Sequence, residues 1–156
     1  MRILFVCLGN ICRSPTAQAV FGRKLEARGF AAAVDVDSCG TLGTHQGEPP
    51  DARAASAAAL RGYDLSPLRS RQLRDTDFQD FDLILAMDKD NLRQVRQRAG
   101  AAFNGELGLF LESAPQLGVE EVPDPFFGED DGFAQVLDLI EAASDALLDR
   151  LERDLG

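Results

Sequence analysis

The chain has 156 residues, 45% of them hydrophobic, and a net charge of −10 at pH 7. That length supports one domain, 1–156, with a sizeable core, and the negative charge opposes nucleic acids and anionic membranes, whose binding rests on cationic contacts. No apolar run reaches the roughly 20 residues of a membrane span and no signal pattern opens the chain; three cysteines, an odd number, fit a cytoplasmic protein with a reactive thiol better than a disulfide framework.

Taken in order, residues 3–6 are an apolar run that reads as a short buried strand, and Ala17, Val20, Phe21 and Leu25 then recur at helical spacing. Between them lies a tight loop, Cys7-Leu8-Gly9-Asn10-Ile11-Cys12-Arg13-Ser14-Pro15. Ser14 suits the helix N-cap and Pro15 its first position, and Gly29 suits the left-handed cap at the other end. Residues 33–37 read as a second strand. Residues 38–50, rich in Gly, Thr and Pro and carrying the single histidine, read as a long functional loop.

The Ala-rich stretch 51–61 predicts a helix closed by Gly62. Residues 63–80 are polar and read mostly as a solvated connection. Residues 82–87 predict a buried third strand, with Asp88 capping a helix marked by Leu92 and Val95. Residues 106–111 give a fourth strand interrupted by Gly108. From 131 to 155 the stripe Phe133, Val136, Leu137, Ile140, Leu147, Leu148 and Leu151 predicts a long amphipathic helix. Strands alternating with helices argue for a three-layer, doubly wound α/β domain with a parallel sheet. Ligands of such sheets bind at the carboxyl ends of the strands, where Cys7 lies.

Loop amides that meet a helix N-terminus form a cradle for an anion, because unpaired donors and the positive dipole end converge. Cys7 at the strand end and Arg13 six positions on bring a thiol and a guanidinium to that cradle. Donors and a cation stabilise thiolate over thiol, and the guanidinium fork matches two phosphoryl oxygens. Charge developing in phosphoryl transfer then meets amides and Arg13, so the chemistry requires no metal. A phosphocysteine enzyme also needs an acid for the leaving oxygen and a base for water. Asp124, held between Pro123 and Pro125 beside Phe126 and Phe127, is the place to look: two prolines stiffen the loop, and aromatic neighbours lower the local dielectric.

The stretch from Cys7 to Pro15 resembles the signature of the low-molecular-weight protein tyrosine phosphatases. Asp37-Ser38, Gly47, the Pro-Asp-x-Arg-Ala from Pro50 to Ala54, Arg71-Gln72, the run from Phe81 to Asp88 and Asp124-Pro125 follow in that family's order over nearly the whole chain. The resemblance implies a four-stranded parallel sheet and hydrolysis of phosphotyrosine and small aryl phosphates. The phosphocysteine would form on Cys7, with the phosphoryl group held by Leu8, Gly9, Asn10, Ile11, Cys12, Arg13 and Ser14, and Asp124 would be general acid and base. It implies no cofactor, inhibition by phosphate-like anions, and a phosphotyrosine protein as partner, a bacterial tyrosine kinase among the choices.

It further implies a reversible Cys7–Cys12 disulfide that protects the nucleophile, whereas Cys39 reads as packing. The sequence departs from the family at several points. Thr44 stands where a Trp or Tyr commonly lines the pocket, leaving Thr44, His45, Phe126 and Phe127 as the expected rim. Phe126 and Phe127 replace tyrosines. Leu68 replaces a histidine that bonds the loop asparagine, so the support of Asn10 falls to Ser38 and Ser14, in a looser cradle.

Three other readings are weaker. An arsenate reductase can share this fold and loop, but internal disulfide relay needs a cysteine pair that is missing beyond Cys39, leaving only a glutathione-dependent form. Cys7, Cys12, Cys39 and His45 could make a zinc set, but their spacing is wrong for zinc ribbons and Arg13 would sit beside the cation. A non-catalytic phosphate-binding module needs neither nucleophile nor acid, and no Gly-Lys-Ser/Thr marks a nucleotide loop.

Overall fold

In the computed structural model, which describes residues 1–126, 128 and 131–155, four parallel strands lie in the order β2-β1-β3-β4. β1 is Arg2–Cys7, and its last five residues are buried. It pairs with β2, Asp35–Gly40, from Arg2 opposite Asp35 to Cys7 opposite Gly40. β3, Leu83–Ala86, flanks β1 on the other side, and β4, Glu106–Leu109, completes the edge.

Strand residues alternate between two faces, and each face has its own cover. Ile3, Phe5, Leu83 and Leu85 join the cluster formed by α1 (Arg13–Ala27) and α5 (Asp131–Leu155). Leu4, Val6 and Ile84 turn to the opposite face, against Val95 of α4 (Lys89–Ala99) and Phe78 of α3 (Asp77–Asp80). A sheet buried on both faces needs near-continuous apolar strands, which is why β1 and β3 were readable as runs. α2, Ala52–Ala59, packs against α5 and is capped by Asp51, which accepts from the amides of Arg53 and Ala54. All seven apolar residues of the α5 stripe are buried.

Several boundaries differ from the sequence reading. α1 begins at Arg13, so Ser14 lies inside the first turn and caps nothing; its hydroxyl is turned to Cys7 instead. β2 runs to Gly40 rather than ending at residue 37, because its last three residues, Ser38, Cys39 and Gly40, are buried by pairing with β1 and not by apolar character. β4 stops at Leu109: the Glu112 carboxylate accepts the Leu109 amide, and the chain winds into a 3-10 turn, Phe110–Ser113, that drives Phe110 and Leu111 under α5. The segment from 63 to 80 is exposed over most of its length, as expected, but it is pinned to the domain by Tyr63, Leu65, Ser70, Leu73 and Asp77, which are buried.

The chain moves from β1 outward to β2, then crosses back over β1 to β3, so the crevice between the carboxyl ends of β1 and β3 is the switch point of the sheet. Phe5 fixes the middle of this arrangement, its ring edge-on to Phe21 at 5.8 Å and to Phe110 at 5.0 Å. Phe5→Ala should lower stability by about 3–5 kcal/mol; urea unfolding is expected to show a lower midpoint with an unchanged slope.

Candidate active site

Cys7 ends β1 at the floor of a cleft of about 120 Å³, lined by Cys7, Leu8, Gly9, Ile11, Cys12, Arg13, His45, Asp124 and Phe126. That is well below the roughly 300–1,000 Å³ of a pocket that encloses a whole ligand. It suits a small anionic head whose remainder stays at the rim. Between Cys7 and α1 the chain turns through Asn10 at φ 56°, a left-handed conformation that asparagine tolerates. The amides of Gly9, Ile11 and Cys12 find no acceptor among the described residues, whereas the Asn10 amide donates to Cys7 Sγ at 3.3 Å. Three unsatisfied donors beside a helix N-terminus make a nest for an anion.

The Asn10 side chain spends all its bonds under this loop. Its Nδ2 donates to Ser14 Oγ at 2.8 Å and to Ser38 Oγ at 3.0 Å, and its Oδ1 accepts the Arg71 amide at 3.0 Å. Ser14 Oγ in turn lies 2.9 Å from Cys7 Sγ and 3.2 Å from the Cys39 carbonyl. Its one proton can go to either, so a thiolate on Cys7 can take it. Leu68 packs against the apolar cluster and takes no part.

Arg13 is 2% exposed. Nη1 donates to Asp88 Oδ2 at 2.7 Å and to the Val122 carbonyl at 3.0 Å; Nη2 reaches Asp124 Oδ2 at 3.4 Å. Burial works against its charge, but neighbouring Cys7, Asp88 and Asp124 outweigh burial and hold the guanidinium pKa above its ordinary value. Asp88 Oδ1 also accepts the Asn91 amide and caps α4. One carboxylate thus ties the end of β3 to the cation of α1.

Asp124 is carried on a loop that docks on the sheet through the Val122 amide and the Met87 carbonyl. Its side chain is 35% exposed and accepts the Phe126 amide at 3.1 Å, so it is solvated rather than enclosed by aromatic rings. Arg53 holds the same loop from outside, donating to the Phe126 carbonyl at 2.9 Å while paired with Asp51, whose amide donates to Ile11 of the anion loop at 2.8 Å. At the rim His45 Nδ1 meets Glu48 Oε2 at 2.6 Å, and the His45 and Phe126 rings stand 6.3 Å apart. Thr44 is exposed and does not line the cleft; Phe127 lies outside the described residues.

Sequence reasoning missed four contributors. Asp88 reads from the sequence only as a cap, although its place just past β3 at the switch point is a signal. Arg53 and Arg71 act through partners distant in sequence. Gly40 left no local sign: a Cβ there would meet the Leu8 carbonyl oxygen at 2.8 Å and the Asn10 nitrogen at 3.1 Å, so the anion loop rests directly on its backbone. Among the described residues no group of three or more His, Cys, Asp or Glu is placed to hold a metal.

The family model of low molecular weight phosphotyrosine protein phosphatases matches residues 2–156. A low molecular weight protein-tyrosine-phosphatase of Streptomyces coelicolor is 41% identical over 150 residues, 94% of this chain and 91% of that one. A protein tyrosine phosphatase from Entamoeba histolytica, solved with Hepes in its active site, superposes with a TM-score of 0.95 at 35% identity, covering 100% and 99% of the two chains. Wzb of Vibrio vulnificus, solved with benzylphosphonate, gives 0.82 at 30% identity over 96% and 97%.

Two outcomes follow from the geometry. Gly40→Ala should force the anion loop off its seat and weaken inorganic phosphate binding about tenfold or more, read as protection of Cys7 from iodoacetate. Burial first, then the charges of Asp51, Cys7 and Asp124, push the Cys12 thiol up to about 12, so it stays protonated below that pH. Peptide mass mapping after alkylation at pH 7–9 should therefore find Cys12 unlabelled.

Proposed function

The chain belongs to the low molecular weight phosphotyrosine protein phosphatases, a family of hydrolases, and we propose that it hydrolyses phosphotyrosine in proteins, and small aryl phosphates, through a phosphocysteine on Cys7. The observation that carries this reading is the Arg13 guanidinium, fixed by Asp88 and still shared with Asp124, beside the sulfur that floors the cleft. Hepes in the active site of one relative and benzylphosphonate bound to another, molecules that each carry an anionic group, agree with an anion cradle.

In the first step the phosphoryl oxygens settle on the amides of Gly9, Ile11 and Cys12 and on Arg13 Nη2, releasing Asp124 from that nitrogen. The Cys7 thiolate attacks phosphorus in line; the P–S bond forms as the P–O bond to the phenol breaks, and Asp124 gives its proton to the leaving oxygen. Charge on the equatorial oxygens is met by donors already in place. In the second step Asp124 takes a proton from water, whose oxygen attacks phosphorus. The P–S bond breaks, and the Ser14 hydroxyl donates to the departing sulfur. Phosphate leaves and the thiolate is restored.

The substrate preference follows from the leaving group, since a phenol of pKa about 10 departs far more readily than an alcohol, and from the His45–Phe126 gap that meets its ring. Inorganic phosphate and its analogues occupy the same donors and inhibit. A phosphorylated bacterial tyrosine kinase fits the family chemistry as physiological partner. Cys12, two residues from Asn10 on the same loop, is the thiol that would trap an oxidised Cys7 as a disulfide.

Turnover of p-nitrophenyl phosphate in Cys7→Ser should fall by on the order of 10⁴-fold or more. Asp124→Asn should slow phosphotyrosine hydrolysis about 10²–10⁴-fold and p-nitrophenyl phosphate, with its better leaving group, much less; equal losses on the two substrates would remove Asp124 from the role of acid. After peroxide, dithiothreitol should restore wild type and fail to restore Cys12→Ser.

A further inference from the structure

The mechanism leaves one buried ion cluster unused. Arg71 is forked onto Asp77, with Nη1 3.0 Å from Oδ2 and Nη2 3.0 Å from Oδ1, and its Nε and Nη2 reach Asp37 Oδ2 at 3.1 and 3.0 Å. Asp77 is fully buried, while Asp37 is 41% exposed. Desolvating a guanidinium and a carboxylate is costly, and apolar residues often serve stability as well. The position of the cluster therefore points to what it holds rather than to stability alone.

What it holds is the backbone of Ser70, Arg71 and Gln72, a bracket between the anion loop and the rim. The Arg71 carbonyl accepts the Gly40 amide at 2.9 Å, and Ser70 exchanges bonds with Glu48 and Gly47 at 2.9 and 2.8 Å. Toward the anion loop, Ser70 Oγ donates to the Gly9 carbonyl at 3.0 Å, and the Arg71 amide donates to Asn10 Oδ1 at 3.0 Å. Asn10 passes the constraint to the sulfur twice, through its own amide and through Ser14 Oγ. Asparagine tolerates the left-handed backbone of Asn10, and its side-chain bonds to Ser14, Ser38 and the Arg71 amide hold it there.

We propose that Arg71 is a positioning residue for the nucleophile: anchored by Asp37 and Asp77, it fixes the Ser70–Gln72 bracket whose amide orients Asn10 and, through Asn10 and Ser14, Cys7 Sγ. This rests on Cys7 being the nucleophile. Arg71 touches neither substrate nor sulfur. It acts by keeping the in-line geometry, where a displacement near 1 Å costs about 10²-fold, and so it affects the chemical step more than the binding of the substrate's ring.

The test is steady-state hydrolysis of p-nitrophenyl phosphate by Arg71→Met, Arg71→Lys and Asp37→Ala, with kcat expressed per Cys7 that alkylates stoichiometrically with iodoacetate, and melting temperature measured in parallel. A purely structural role lowers the melting temperature and the fraction of alkylatable sites but leaves kcat per site alone. The expected result is a fall in kcat per site of about 10- to 100-fold in Arg71→Met, an intermediate value in Arg71→Lys, which keeps the charge but loses the fork, and about threefold in Asp37→Ala. Wild-type kcat per site in Arg71→Met overturns the proposal. Should that variant fail to fold, Asp37→Ala, altered at an exposed partner, decides: unchanged kcat per site overturns it equally. Wild-type turnover that survives Cys7→Ser instead overturns the phosphocysteine reading, and this inference with it.

Discussion

A guanidinium that is 2% exposed has to be paired on every side, and the site is built around meeting that demand for Arg13. Its partners come from three separate places: Asp88 at the end of β3, the Val122 carbonyl where the next loop leaves the sheet, and Asp124 further along that loop. The two strand ends that form the switch point are thereby bound to one cation. The same arrangement makes the site self-complementary, because Asp124 occupies the edge of the guanidinium that the proposed mechanism gives to a phosphoryl oxygen. Net charge of −10 does nothing to attract such a ligand; attraction is local, from loop amides, a helix terminus and one buried cation.

How much of this could be read in advance depends on sequence distance. The unit of strand, loop and helix from Arg2 to Ala27 is a local object, so the spacing of Cys7, Asn10 and Arg13 disclosed the fold at that point and brought the three residues to one loop. Helices with a clear stripe or cap, α5 and α2, were equally plain. Ser14 was misread because a serine before a proline looks like a cap, whereas its hydroxyl is committed to Cys7, Asn10 and Cys39. Asp88, Arg53, Arg71 and Gly40 each serve residues at least 30 positions away in sequence. No periodicity or turn rule reaches across such separations.

Strand ends show the same division. β1 and β3 are apolar because both faces are covered, and their extents were legible. β2 carries Ser38, Cys39 and Gly40 at its buried end because its task there is to give hydroxyl, carbonyl and bare backbone to the anion loop. Function has replaced the apolar pattern at those positions, and the pattern-based boundary fell short by three residues.

The central place of β1 carries a consequence for biosynthesis. Five consecutive buried residues, Ile3 to Cys7, precede most of their cover in translation: Phe21 of α1 follows soon after, but Phe110 and α5, whose stripe begins at Phe133, come much later. At about 5–20 residues per second, an emerging chain carries that strand half-covered for on the order of ten seconds before α5 exists. The strand that carries Cys7 is thus completed only when the chain's two ends meet, so the sheet centre and the cleft at its edge form together with the docking of α5.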